Sequence, residues 1–291
     1  MRSGRNRRSR MRMRRLSGLS VNRMVPNILT LLALCAGMTA MRFAMGGNFQ
    51  AAVFAIIAAG IFDGLDGRMA RLLKATSSFG AELDSLSDFI SFGVAPAAVL
   101  YLWTLSELHG LGWAIALLFA VCCALRLARF NTETPGETPS YMAPFFTGAP
   151  APAGAGLVMV PMFLSFEWGD WLFRSPYLSA VTVTAIALLM ISKVPTVSLK
   201  RIRIPQHLVI PTLLGFGVAT AFLTTEPWLT LTVVGIVYVS SVPFTVHSYY
   251  RLKRAALARR TEPAEPAAAP LSTPPPFPLG EAVRPPNEWR H

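Results

Sequence analysis

Asp63-Gly64-Leu65-Asp66-Gly67-Arg68-Met69-Ala70-Arg71, followed eight residues later by Gly80-Ala81-Glu82-Leu83-Asp84-Ser85-Leu86-Ser87-Asp88, sets four aspartates into two otherwise apolar segments. Those segments run over about 49–73 and 79–105. Each exceeds the roughly 20 mostly apolar residues a bilayer-spanning helix needs. A charged side chain at the centre of such a helix costs about 2.5–3.5 kcal/mol, so four uncompensated carboxylates are untenable. Asp63 and Asp66 are spaced i,i+3 and Asp84 and Asp88 i,i+4, so each pair projects from one face of its helix. The short connection at 74–79 makes the two helices antiparallel neighbours. Carboxylates gathered in this way repel one another unless cations intervene, and hard oxygen ligands select Mg2+ or Mn2+. Two such ions balance four negative charges.

The residues around the aspartates extend this reading. Gly64, Gly67 and Ala70 clear space along the helix for a bulky ligand, and Arg71, about one turn beyond Gly67, can donate a forked pair of hydrogen bonds to phosphate oxygens. Metal and arginine together imply a phosphate substrate. Simple ion pairing of the acids with Arg68, Arg71 and Lys74 accounts for one or two of them but not for four in register with glycines. A cation or proton-coupled transporter is the rival function, since intramembrane acids also mark ion pathways. The lack of an internal repeat counts modestly against the transporter architectures built on duplicated halves.

The rest of the chain fits a membrane protein. Of its 291 residues 53% are hydrophobic and 14% charged, against about 25% charged in soluble domains. Eight stretches are of spanning length: about 25–44, 49–73, 79–105, 111–130, 150–167, 176–193, 207–224 and 228–249. The formal charge of +12 is distributed by side. With the amino end inside, Arg2 to Arg23, Arg68, Arg71, Lys74, Arg126, Arg129, Lys193 to Arg203 and Arg251 to Arg260 all face the cytoplasm, leaving Arg42 and Arg174 outside. The charge therefore reports topology and anionic lipid headgroups rather than nucleic acid. Three domains follow: a basic disordered leader at 1–24, a transmembrane catalytic domain at 25–250, and a basic, then Pro/Ala-rich, disordered tail at 251–291. Cys35, Cys122 and Cys123 are odd in number and lie within apolar segments, so they read as packing residues.

Taken together, Asp63-x-x-Asp66-Gly67-x-x-Ala70-Arg71 and Gly80-x-x-x-Asp84-x-x-x-Asp88 resemble the complete signature of the CDP-alcohol phosphatidyltransferase family. The resemblance implies an all-α polytopic fold with a six-helix core, here followed by two C-terminal helices, about eight transmembrane helices in all. It implies that Asp63, Asp66 and Asp84 bind metal, while Asp88 both contributes to the metal site and acts as general base. It places Gly67, Ala70, Arg71 and Gly80 on the CDP moiety, with Arg71 at the diphosphate. Asn27, in Pro26-Asn27-Ile28-Leu29-Thr30, is similar to a further family element on the nucleotide side.

Two other stretches concern the acceptor alcohol. Leu125-Arg126-Leu127-Ala128-Arg129-Phe130-Asn131 and Leu189-Met190-Ile191-Ser192-Lys193-Val194-Pro195 are similar to segments of the branch of that family whose acceptor is serine. Arg126, Arg129, Asn131 and Lys193 are accordingly candidates for binding the serine carboxylate or a phosphate. The expected reaction moves a phosphatidyl group from CDP-diacylglycerol to the hydroxyl of L-serine, releasing CMP. Sister reactions with glycerol 3-phosphate, inositol phosphate or choline share every aspartate, and the charge argument alone does not separate them. The expected setting is the inner (plasma) membrane among its lipids, with the site facing the cytoplasm, and the resemblance implies a homodimer.

Overall fold

The computed structural model describes residues 21–132, 145–192, 195–197 and 208–261. In hydrocarbon every backbone N–H and C=O must be satisfied within the protein, so long apolar stretches fold as helices. Helix α1 (Val21–Met45) turns through Gly46 and Gly47 into α2 (Phe49–Leu72), where the Asn48 side chain caps the new helix by accepting from the Ala51 N–H at 3.1 Å. A second hairpin, with Lys74 in the left-handed region, leads to α3 (Ser78–Asp88), capped by Ser77 Oγ accepting from Gly80 N–H at 3.0 Å. A π-helical turn, Phe89–Val94, joins α3 to α4 (Ala95–Trp103), and the three form one span. A 3-10 turn at Leu105–Leu108 opens α5 (His109–Thr132).

Further along the chain come α6 (Ala151–Val158) and α7 (Val160–Trp168), then the short α8 (Asp170–Phe173) and α9 (Pro176–Ile191). Two further helices follow, α10 (Val209–Thr225) and α11 (Pro227–Thr261). Six helical stretches among the described residues are long and apolar enough to cross a membrane, and α9 and α10 are shorter apolar helices. The all-α polytopic fold with about eight spans is the observed one.

Three features differ from the sequence reading. Strands β1 (Phe145–Thr147) and β2 (Pro195–Val197), which the reading of the sequence did not include, pair antiparallel with Phe145 opposite Val197. Gly148, at φ +75°, follows β1 where a Cβ would come within 2.6 Å of the Met190 carbonyl. Tryptophans commonly anchor membrane interfaces, and Trp113, Trp168 and Trp171 are exposed, but Trp103 is 3% exposed and belongs to the core. Helical structure begins at Val21 and continues past 250 to Thr261, while residues 1–20 and 262–291 of the expected leader and tail lie outside the described residues.

Packing brings α1 onto both aspartate-bearing helices. Gly37 makes this possible, because a Cβ there would lie 2.8 Å from Ser91 Cα in the π-helical turn. At the opposite end, Asp170 accepts from the Ser165 hydroxyl and from Arg174 Nη1 at 3.1 Å, and Arg174 Nη2 reaches the Trp103 carbonyl at 3.4 Å. The Ser165 hydroxyl, ahead of the opposing effect of burial and the help of Arg174, holds the Asp170 carboxyl below its ordinary range. A depressed pKa means this clamp is present above the usual carboxylate range and is lost only as pH falls through the lower folded value.

Candidate active site

Asp63 and Asp66 project from α2, and Asp84 and Asp88 from α3 and its end, and the hairpin at 73–77 folds the two helices so that these side chains converge. One carboxylate oxygen from each of Asp63, Asp66 and Asp84 lies within 4.8 Å of the others. Asp88 lies beside Asp63, with their carboxyl groups close enough to interact. Asp66 is 4% exposed, and Asp84 Oδ1 is buried with no hydrogen-bond partner. Among the described residues no arginine or lysine forms an ion pair with any of the four; the ion pair seen is Arg174 with Asp170. Interfacial ion pairing therefore does not explain the acids.

These residues fit a divalent cation. Carboxylate oxygens bind such ions at about 2.0–2.6 Å, so ligands on opposite sides stand about 4–5 Å apart, the spacing observed. Two carboxyl groups this close repel one another unless a proton or a cation intervenes, and the orphaned Asp84 oxygen supplies a free lone pair for a cation. The π-helical turn begins directly after Asp88, a position where such irregularities often mark function.

The sequence did not single out the residue that holds Asp66. Thr30 Oγ1 donates to Asp66 Oδ2 at 2.6 Å, and the Thr30 carbonyl accepts from Ser87 Oγ at 3.0 Å, so one α1 residue braces both aspartate-bearing helices. One turn further on, Ser91 Oγ donates to the Ala33 carbonyl at 3.1 Å. A threonine in an apolar helix carries no pattern of its own; the only cue was its place at the end of Pro26-Asn27-Ile28-Leu29-Thr30. Thr30→Val is expected to lower metal affinity and turnover about 10- to 100-fold, the usual cost of losing a hydrogen bond to a ligand. Thr30→Ser should restore most of both in a metal titration.

A cavity of about 260 Å³ opens beside the cluster, and the residues expected to meet the nucleotide are brought together around it: Asn27, Gly67, Ala70, Arg71 and Gly80 line it with Thr30, Asp66 and Asp84. A Cβ on Gly80 would stand 3.0 Å from Asn27 Oδ1 and 3.1 Å from Ser77 Oγ, so glycine there lets α1 and the α3 cap close on the cavity. The acceptor candidates are less united. The Arg126 guanidinium is within electrostatic reach of Asp88, Cys123 and Tyr238, and its Nε is buried without a hydrogen-bond partner. Asn131 donates instead to Ser85 Oγ at 2.9 Å. Arg129 does not line the cavity, and Lys193 lies outside the described residues.

Comparison with known proteins agrees with this geometry. Residues 23–194 match the family described as CDP-alcohol phosphatidyltransferase, and residues 207–243 match CDP-alcohol phosphatidyltransferase 2. A Mycobacterium leprae (strain TN) protein named CDP-diacylglycerol--serine O-phosphatidyltransferase is 39% identical over 241 residues, covering 82% of this chain and 79% of its own. Proteins of the same name from Mycobacterium tuberculosis (strain ATCC 25618 / H37Rv) and Helicobacter pylori (strain ATCC 700392 / 26695) are 40% and 35% identical. Their alignments cover 77% and 61% of this chain and 78% and 73% of the relatives.

Proposed function

The chain belongs to the CDP-alcohol phosphatidyltransferase family, and from that membership we propose that it transfers the phosphatidyl group of CDP-diacylglycerol to the hydroxyl of L-serine, giving phosphatidylserine and CMP. The observation that carries the reaction type is the convergence of Asp63, Asp66 and Asp84, with Asp88 beside Asp63, next to a cavity lined by Arg71. Serine as acceptor rests on relatives of that name across most of the chain.

Asp63, Asp66, Asp84 and Asp88 are the proposed ligands of two divalent cations, Mg2+ or Mn2+. When bound, these would neutralise the diphosphate and stabilise CMP as it leaves. The remaining work belongs to the chain. Arg71 donates to diphosphate oxygens, with Asn27, Gly67, Ala70 and Gly80 forming the walls against the nucleotide. Asp88 accepts the proton of the serine hydroxyl, whose oxygen bonds to the lipid-bearing phosphorus as the bond to CMP breaks. Positioning and charge stabilisation supply most of the catalysis, as in other phosphoryl transfers. Arg126, buried and within electrostatic reach of Asp88, is the best-placed of the acceptor candidates to hold the serine carboxylate, with Arg129, Asn131 and Lys193 as the other proposed contacts.

The basic residues favour an inner (plasma) membrane location with the site facing the cytoplasm, where nucleotide and serine arrive from water while acyl chains remain in lipid. The division into leader, catalytic domain and tail at 1–24, 25–250 and 251–291 is retained as part of the proposal. So is a homodimer: α10 has no buried residue, leaving apolar surface for lipid or a second copy.

The test is CMP release by purified protein from CDP-diacylglycerol with serine, glycerol 3-phosphate, inositol phosphate or choline, with and without EDTA. Release should depend on serine and cease with chelator, returning with Mg2+ or Mn2+. Preference for another acceptor would move the chain to a sister reaction, and cation flux without CMP release would make it a transporter.

A further inference from the structure

A second chamber of about 250 Å³, open on part of its boundary, is lined by α2, the π-helical turn, α6, α7 and α11. Its walls are almost wholly apolar, from Ile56 and Phe92 to Phe163 and Leu231, and Tyr238 brings the one side-chain hydroxyl. Toward the outer side, Trp228 packs against Phe54, Phe163 and Phe166 at centroid distances of 5.1, 6.3 and 4.8 Å.

The inner side adjoins the reaction site from three directions. Gly60 is three residues before Asp63 on α2, and Phe92 is four residues after Asp88. Tyr238, on α11, is within electrostatic reach of Arg126, which in turn reaches Asp88. A lipid whose phosphate is held by the aspartates must lead its acyl chains away through apolar surroundings, and this chamber starts where they would leave.

Size restricts the occupant. Pockets that enclose a whole drug-sized ligand run about 300–1,000 Å³, so this one takes a single chain rather than a two-chain lipid. A helix, about 10–12 Å across with its side chains, does not fit. Glycines leave the width open: a Cβ on Gly156 would meet nothing within 4 Å, and one on Gly60 only the Phe92 ring at 3.7 Å. Gly235, by contrast, is a packing position, where a Cβ would lie 2.9 Å from Val160 Cγ2.

We propose that this chamber receives one acyl chain of the lipid substrate, with α11 as its outer wall and Gly60 and Gly156 setting its usable width. The proposal rests on the transfer reaction above. It gives α11, beyond the six-helix core, a part in substrate binding.

Two measurements test it. Gly156→Leu projects a side chain into open space, and one methylene in an apolar pocket is worth about tenfold or more in discrimination. The ratio of kcat/KM for long-chain over four-carbon CDP-diacylglycerol should therefore fall by about tenfold or more, whereas Val181→Leu, on exposed α9 surface, should leave the ratio unchanged. An unchanged ratio in Gly156→Leu overturns the proposal. Independently of any variant, CDP-diacylglycerol carrying a diazirine along one chain should label Phe92 or the 231–238 segment of the wild-type protein. Unlabelled CDP-diacylglycerol should compete and phosphatidylcholine should not. Labelling elsewhere, or equal competition by phosphatidylcholine, means ordinary bilayer lipid fills the chamber and overturns the proposal. Failure of the wild type to release CMP would strike the reaction instead, and labelling would still decide the chamber.

Discussion

Asp84→Asn is expected to reduce CMP release by about 10²–10³-fold or more, the scale of losing a principal source of transition-state charge stabilisation. The substitution keeps shape and polarity and removes one charge from a cluster in which Asp84 Oδ1 is buried without a partner. Its effect should appear first in metal affinity, read by titrating Mn2+ and recording activity and thermal midpoint at each concentration. Stability supplies the control. With EDTA present the variant should melt no lower than the wild type, because one of several crowded acids has been neutralised. A lower midpoint in EDTA would mean that Asp84 is structural. Full activity would remove Asp84 from the metal site and with it the assignment of the whole cluster.

Asp88→Asn should give a different pattern. Removing a general base costs about 10²–10⁴-fold, and here the loss should fall on kcat, with KM for CDP-diacylglycerol and the Mn2+ titration changed much less. Asp88 differs from the other three in that it lies beside Asp63 rather than joining the three oxygens within 4.8 Å of one another, and Arg126 is within electrostatic reach of it. The proposed base therefore adjoins the other three ligands and the arginine proposed to hold serine. If kcat and metal affinity fall together, as for Asp84→Asn, Asp88 is a ligand alone and the proton goes elsewhere.

Much of this site could be read from local spacing. The i,i+3 and i,i+4 pairs share a helix face whatever the surroundings, and a short polar connection between two apolar helices forces them antiparallel, so the meeting of Asp63, Asp66 and Asp84 followed from geometry within some twenty-six residues. Contacts between distant segments were another matter. Thr30 reaches Asp66 across 36 residues and Asn131 reaches Ser85 across 46, and neither pairing leaves a period or motif. The pairing of β1 with β2 was equally hidden, because three-residue strands are too short to show alternation.

Trp103 and Arg126 show the same limit in burial. Residue type gave no sign of burial for the first and made the second a candidate for binding an anion. Packing made Trp103 a core residue and buried Arg126 Nε near Asp88. The amino-acid sequence by itself determined the apolar helices of spanning length and the four aspartates in register, because those depend on apolar length and helical period. The tertiary structure alone decided that α1 braces the acids through Thr30, and that Arg126 Nε is buried. It also decided that α11 closes an apolar chamber beside them. Each of these depends on which helix faces pack together, and helices uniformly apolar to suit lipid carry little in their sequence to say so.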